Sequence, residues 1–217
     1  MKRILLASCL LLGALTGAPA QSQQRIPDDV FYLMPSFGEG MIYIRGQGPA
    51  QGKLNICAVD NSLRYIDDDG NELSSNAENI LQVRIDTVTF IRYQNAFVRL
   101  HPVTGDTGIA VRRDVRILKD TKVGAYGAST RTSSIQDINA LYADSGIVEL
   151  NKNREYPYSV SETVFVYKGS DVLIPTRNNL RKMFPEKKEA VDSWFKTNRS
   201  FPQDMEEASA LLSEWSR

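Results

Sequence analysis

Residues 79–100 read NILQVRIDTVTFIRYQNAFVRL, and this stretch decides the fold class. Its first half alternates apolar with polar residues, which is the period of a half-buried β-strand. The apolar positions of that strand are Leu81, Val83 and Ile85. The alternation slips at residues 86–87 and resumes with Val88 and Phe90. Because a slip of one residue moves side chains to the other face of a strand, we expect a bulge or a strand break there.

Similar short runs lie on both sides of this stretch, separated by Gly- and Pro-bearing turns. They are VFYLM (30–34), MIYIR (41–45), LNICAV (54–59), LRYI (63–66), AFVRL (96–100), GIAVRRDVRIL (108–118), ETVFVY (162–167) and DVLIP (171–175). The connections are too short for crossover helices, so we expect antiparallel pairing. The last two runs, joined at 168–170, predict a final hairpin. The pattern therefore predicts an antiparallel β body from 29 to 175.

The period changes to 3.6 residues from Thr176 onward, which predicts helices over residues 176–217. Pro185 suits the first turn of a helix, and Asp204 with Glu207 resembles a capping box. The predicted fold class is α+β: a mainly antiparallel β-sheet body followed by two or three short C-terminal amphipathic helices. Isolated helices of this length are marginal in water, so we expect their apolar stripes to pack on the β body.

The N-terminus has the pattern of a secretory signal peptide. Lys2 and Arg3 precede an apolar run from 4 to 15, and a small-x-small site ends at Ala20. We expect residues 1–20 to be removed, residues 21–28 to form a flexible leader, and the protein to reach the periplasm, the outer cell envelope or the medium. The LASC stretch at 6–9 also fits a lipoprotein signal, which leaves a lipid anchor at Cys9 as an alternative.

Composition limits the possible chemistry. The chain has a net charge of +0, which gives no electrostatic reason to expect nucleic acid as a partner. Cys57 is the one cysteine after the signal peptide, so we expect no disulfide. His101 is the single histidine, which excludes multi-histidine metal sites. A Cys57–His101 pair is formally possible, but Cys57 lies in an apolar strand pattern. No cofactor is predicted.

The IDDDGNE stretch at 66–72 resembles a calcium loop because acidic oxygens surround a glycine. Alignment on Gly70 leaves Tyr65 and Asn76 at the two anchor positions, where acidic ligands are needed. An Asp-Gly hairpin turn after the LRYI strand is therefore the favoured interpretation, with a metal site as the alternative.

Two features suggest a binding surface. The first is the polar loop GAYGASTRTSS (124–134), which contains Tyr126 and Arg131 but lacks the ending of a phosphate-binding loop. The second is a basic stretch with Arg112, Arg113 and Arg116. Arginines that alternate with apolar residues can form the solvated face of a sheet, or a surface for an anionic glycan or another envelope component.

Several motifs together resemble a group of exported proteins of Bacteroidetes-type bacteria with no assigned reaction. They are the Tyr65–Glu72 turn, VRIDTVTFI (83–91), VRRDVRIL (111–118), the 124–134 loop, the hairpin VFVY to DVLIPTRNNL (164–180) and LRKMFPEKKEAVDSWFKTN (180–198). The resemblance implies a cell-envelope setting, with an unidentified protein or glycan as partner. The sequence favours a non-enzymatic binding or structural protein. A secreted hydrolase of glycan or peptide, and a subunit of a surface assembly, are the alternatives.

The N-terminal pattern is tested on the expressed protein. We expect the exported chain to begin at Gln21, which intact-mass measurement would show directly. We expect no incorporation of radioactive palmitate. A labelled band would instead establish the anchor at Cys9.

Overall fold

The computed structural model describes residues 26–75, 78–117 and 157–217, and it has an α+β fold. The strands are β1 (Gly38–Ile44), β2 (Ala50–Ile56), β3 (Leu63–Ile66), β4 (Glu72–Ser75), β5 (Ile80–Ile85), β6 (Val88–Tyr93), β7 (Ala96–Thr104), β8 (Thr107–Ile117), β9 (Tyr158–Lys168) and β10 (Asp171–Leu173). The helices are α1 (Asp28–Phe31), α2 (Arg177–Met183), α3 (Lys188–Thr197) and α4 (Met205–Trp215), with a 3₁₀ turn at Pro185–Lys187 between α2 and α3. The predicted fold class is confirmed. The predicted Tyr126 and Arg131 lie outside the described residues.

The ten strands form one antiparallel sheet in the order β10-β9-β8-β7-β6-β5-β1-β2-β3-β4. Two meanders, β1 to β4 and β5 to β10, are joined where β1 pairs with β5. Neighbouring strands within each meander are connected by short turns, except β8 and β9, whose connection spans residues 118–157 and lies almost wholly outside the described residues. The pairing of β1 with β5 is the long-range contact that makes the two meanders one sheet.

Residues 79–93 form β5 and β6, and the regular pairing is interrupted at two places. At residues 86–87 the chain reverses in a tight turn, with Asp86 at φ 52, so the predicted strand break is there. A bulge lies earlier, because Tyr43 pairs with Gln82 whereas Ile44 pairs with Ile80. Leu81 is the extra residue and is 46% exposed. The expectation that Leu81 shares the buried face is therefore wrong.

The segment predicted as a strand at 30–34 begins as a helix. Pro27 precedes helix α1 in an extended conformation, and two aspartates occupy the first turn, where acidic side chains are favourable. Tyr32 then makes an isolated antiparallel bridge to Cys57, and Leu33 donates to the carbonyl of Ile56. The strand prediction is wrong for Val30 and Phe31, and this segment pairs with the sheet only beyond the helix.

One face of the sheet carries most of the core. In the first meander and its β5–β7 neighbours, the buried apolar cluster is Leu54, Ile56, Leu63, Ile80, Val83, Ile85, Phe90 and Phe97. A second cluster joins the end of β8 to helix α1 and residues 57–59. Because β2 and β8 are not neighbours in the sheet, the sheet must curl to bring these residues together.

The C-terminal helices pack on β8 and β9. The strands contribute Ile109, Val164 and Val166, and the helical segment contributes Leu180, Met183, Phe184, Val191, Phe201, Ala208, Leu211, Leu212 and Trp215. The rings of Phe184 and Phe201 lie 6.1 and 6.3 Å from that of Trp215. The apolar stripes found in the sequence are thus the faces that cover the sheet.

Three polar side chains fix the ends of these helices. The Thr176 hydroxyl accepts a hydrogen bond from the Asn179 amide, and the Asp204 carboxylate accepts from the amides of Glu206 and Glu207. Lys168 of β9 donates to the Met183 carbonyl at 3.4 Å and lies 5.2 Å from the Phe184 ring centroid. A lysine at a helix C-terminus also complements the helix dipole.

Removal of one buried side chain at this interface should destabilise the whole protein. Leu212 is fully buried, so we expect Leu212→Ala to lower the free energy of unfolding by about 2–5 kcal/mol in urea titration. Leu81→Ala is the matched control and should cost about 0.5 kcal/mol or less, since Leu81 is exposed. Equal effects of the two substitutions would show that the helices contribute little to the core.

Candidate functional site

The arginines predicted to form a basic surface do not share one face of the sheet. Side chains alternate along a strand, so Arg112 and Arg116 of β8 lie on one face and Arg113 on the other. Arg112 pairs with Asp114 at 2.8 Å and lies 5.7 Å from the Phe165 ring centroid. Arg113 donates to the Asp29 carbonyl at 2.9 Å. Arg116 is the exposed member of the three.

A different set of cations does converge, at the elbow between α2 and α3. A groove of about 460 Å³ lies there, lined by Asn178, Arg181, Lys182, Pro185 and Lys188. Three of these side chains are cationic and one is an amide donor, and none of the lining residues in the described part of the chain is a carboxylate. We call this feature the basic elbow.

The local sequence explains the shape of the basic elbow. Leu180, Met183 and Phe184 are buried and hold the inner side of the turn against the sheet. Their neighbours Arg181 and Lys182 then point away from the core, by helix periodicity. Pro185 begins the 3₁₀ turn that redirects the chain into α3, so that Lys188 lies across the groove from α2.

The cations of the basic elbow differ in whether they are already paired with a carboxylate. Asp192 of α3 accepts a hydrogen bond from Arg177 at 2.7 Å and lies 3.5 Å from Arg181. Hydrogen bonding and charge from Arg177 hold the pKa of Asp192 below its usual value. Lys182 and Lys188 are exposed and make no ion pair within the described residues. The two lysines therefore carry the charge that is available to a ligand.

The sequence contains a signal for this site that periodicity alone did not reveal. Basic pairs at 181–182 and 187–188 flank Pro185, within a stretch first interpreted only as a cover for the sheet. Helix-breaking at a proline brings residues on either side of it to one elbow. The convergence of Arg181, Lys182 and Lys188 on one groove is a tertiary result of that break.

A second group of charged residues is largely buried beside the 30–34 segment, and its members pair with one another through hydrogen bonds and ion pairs. Arg64 donates to Asp60 at 2.8 Å and to the Ser62 hydroxyl at 2.8 Å, and it lies 3.8 Å from Glu72. Tyr32 donates to the Glu72 carboxylate at 2.8 Å. Burial acts to lower the pKa of Arg64, but the neighbouring acids outweigh it and the pKa is raised. This network ties the 30–34 segment to β3 and β4.

The Asp-Gly stretch forms the predicted hairpin turn between β3 and β4. The Asp67 carboxylate accepts hydrogen bonds from the amides of Asp69 and Asn71, at 3.0 and 2.7 Å. These bonds, that from Asn71 above all, lower the pKa of Asp67. In the described part of the chain, no group of three His, Cys, Asp or Glu residues could hold a metal ion. The carboxylate that suggested calcium here organises the turn instead.

Cys57 and His101 occupy different parts of the core. Cys57 is fully buried and free, with apolar neighbours that include Val30 and Val115, and burial raises the pKa of its thiol to about 12. His101 lies on β7 opposite Ile109 of β8. A thiol so far from ionisation is a poor nucleophile at neutral pH.

No protein-family model, curated protein or solved structure matches this chain. Among the described residues, no helix has the length and apolar character needed to cross a membrane.

His101 gives the structure a defined pH dependence. Burial, reinforced by the charge of Arg99, lowers the pKa of His101 below 6.5, so the folded state favours the neutral ring. The unfolded chain binds the proton more readily than the folded chain does. The contribution of His101 to the free energy of unfolding is therefore complete above pH 6.5 and decreases as the pH falls below it. We expect the urea midpoint to be lower at a pH of about 5.5 than at about 7.5.

The His101→Gln variant isolates this contribution, because His101 is the single histidine of the chain. We expect its urea midpoint to change less than that of the unmodified protein over the same interval. An unchanged pH dependence would assign the effect to carboxylates.

Proposed function

We propose that the protein is an exported, non-enzymatic binding protein of the cell envelope, and that the basic elbow holds acidic groups of an envelope glycan. The observation that carries the proposal is the convergence of Arg181, Lys182 and Lys188 on one groove. The signal-peptide pattern of residues 1–20 supports the envelope setting.

The charge of the basic elbow is local. The whole chain has a net charge of +0, so attraction of an anion must come from particular surfaces. Lys182 and Lys188 are exposed, and each ammonium offers three donors to carboxylate or sulfate oxygens. Arg181, held by Asp192, adds a planar donor in a fixed position.

The shape of the basic elbow suits a repeating anionic chain. The groove between α2 and α3 is open to solvent. A polymer chain could therefore lie across the groove and extend beyond it. Exposed ion pairs are each weak, typically about 0–1 kcal/mol. Binding of several acidic sugars at once would therefore give an affinity that single contacts do not.

The groove favours binding over hydrolysis of the same glycan. Glycoside hydrolysis needs two carboxylates facing across a cleft, and cations and an amide line this groove. The described residues of the basic elbow thus supply cations that could hold an anionic chain.

Charge reversal in the basic elbow tests the proposal. The mature chain should bind alginate, a uronic-acid polysaccharide, and should not bind neutral dextran. Reversal of both lysines by Lys182→Glu and Lys188→Glu should raise the Kd on the order of tenfold, which corresponds to about 1.4 kcal/mol. Calorimetry at low salt would measure the change, and added salt should weaken binding of the unmodified protein.

Lys53→Glu is the matched control, since Lys53 is an exposed lysine on β2 and does not line the groove. It should leave the Kd for alginate within about twofold of the starting value, because charge at a distance is screened. If Lys53→Glu weakens binding as much as reversal in the groove, the attraction is diffuse and the basic elbow is not a site.

A further inference from the structure

Among residues 26–75, 78–117 and 157–217, most of the outer edge of β9 has no pairing partner. All residues of β9 from Tyr158 to Lys168 pair with β8 on the inner side. On the outer side β10 pairs with only the last three, Val166 to Lys168. Among the described residues, no strand pairs with that side between Tyr158 and Phe165. The structure therefore contains a strand edge of the kind that accepts another strand.

The short length of β10 has a chemical cause. Leu173 pairs with Val166, and continuation of the same register would place Pro175 opposite Val164. Proline has no N–H to donate to the ladder, so β10 cannot extend. The Thr176 cap then begins helix α2. Within the described residues, the first half of β9 thus has no strand on its outer side.

The direction of the free backbone groups follows from the hairpin that joins β9 to β10. Lys168 and Asp171 pair across a loop of two residues, 169–170, so they exchange backbone hydrogen bonds. The even-numbered residues of β9 therefore direct their N–H and C=O groups toward the outer side. On the uncovered half these residues include Tyr158, Val160 and Glu162.

The side chains of this edge offer little protection against pairing. Residues 159–162 are exposed, and Val160 retains 40% of its surface in contact with solvent. Natural edge strands are usually blunted by lysine, proline or a bulge. From Tyr158 to Val164 the sequence YSVSETV contains neither lysine nor proline, and pairing with β8 is regular throughout.

We propose that this edge pairs with the same edge of a second copy of the chain, antiparallel and centred on Val160. In that register Val160 lies opposite Val160 of the second copy, Tyr158 opposite Glu162, and Ser159 opposite Ser161. Aliphatic and serine cross-strand pairs are favourable, and the tyrosine hydroxyl can donate to the carboxylate. No like charges lie opposite each other. The exposed edge is therefore complementary to itself, and the sheets of two copies join into one.

The test uses the mature chain, residues 21–217, and light scattering after size exclusion. We expect the unmodified protein to have twice the mass of one chain at submillimolar concentration. Val160→Lys places two ammonium groups opposite each other and should give a single-chain mass with an unchanged circular dichroism spectrum, and its melting temperature should no longer rise with protein concentration. Leu81→Lys, at an exposed leucine on an interior strand, is the matched control and should remain a dimer.

A cysteine pair checks the register independently of the lysine variant. In the proposed register, mild oxidation should link two copies of Val160→Cys, whose Cα atoms would lie about 5.5 Å apart. Ser161→Cys should not link, because its diagonal partner would lie at about 7–8 Å. The native Cys57 is buried and should not interfere.

Two results would overturn the proposal. A single-chain mass for the unmodified protein would exclude self-pairing. The same conclusion would hold if that single chain bound extended peptides of other proteins. Linkage at position 161 without linkage at 160 would exclude the register. Alginate binding through the basic elbow is measured separately, so failure of one proposal does not decide the other.

Discussion

The pairing of β1 with β5 is the contact that joins the two meanders into one ten-stranded sheet. Without it, the chain would form two separate meanders, each with an open edge. The contact is close at Gly40, where an added Cβ would lie 2.6 Å from the Arg84 carbonyl oxygen and 2.8 Å from the Leu54 side chain. A glycine at this position lets the two strands meet while Leu54 and Ile85 remain buried. The C-terminal helices dock on β8 and β9 of the second meander.

The helical segment connects this packing to the proposed binding site. Leu180, Met183 and Phe184 hold α2 against β8 and β9, while the polar side of the same helix lines the basic elbow. Lys168 fixes the end of α2 from the strand side. The positions of the cations along the chain are therefore set by burial of apolar side chains only a few residues away.

Local patterns in the sequence were sufficient for much of this structure. The strand at 63–66, the hairpin after Lys168 and the role of Pro185 each depend on neighbouring residues, and each could be predicted. The bulge at Leu81 depends on the register with β1, and the helix at Asp28–Phe31 interrupts a run with good strand propensity. The basic elbow was missed because its cations converge only after α2 and α3 have packed. Distant pairing and packing leave no periodic trace in a single sequence.

For a chain that is exported as we propose, the burial of Cys57 has a practical consequence. In an oxidising compartment, a lone exposed thiol would invite mixed disulfides with other proteins. Cys57 has 0% exposure, and its thiol has a pKa of about 12, so the folded chain offers no thiolate to such partners. Alkylation of this cysteine would proceed only when the chain opens. The rate of alkylation at the Cys57 sulfur would therefore report how often the core beneath helix α1 opens.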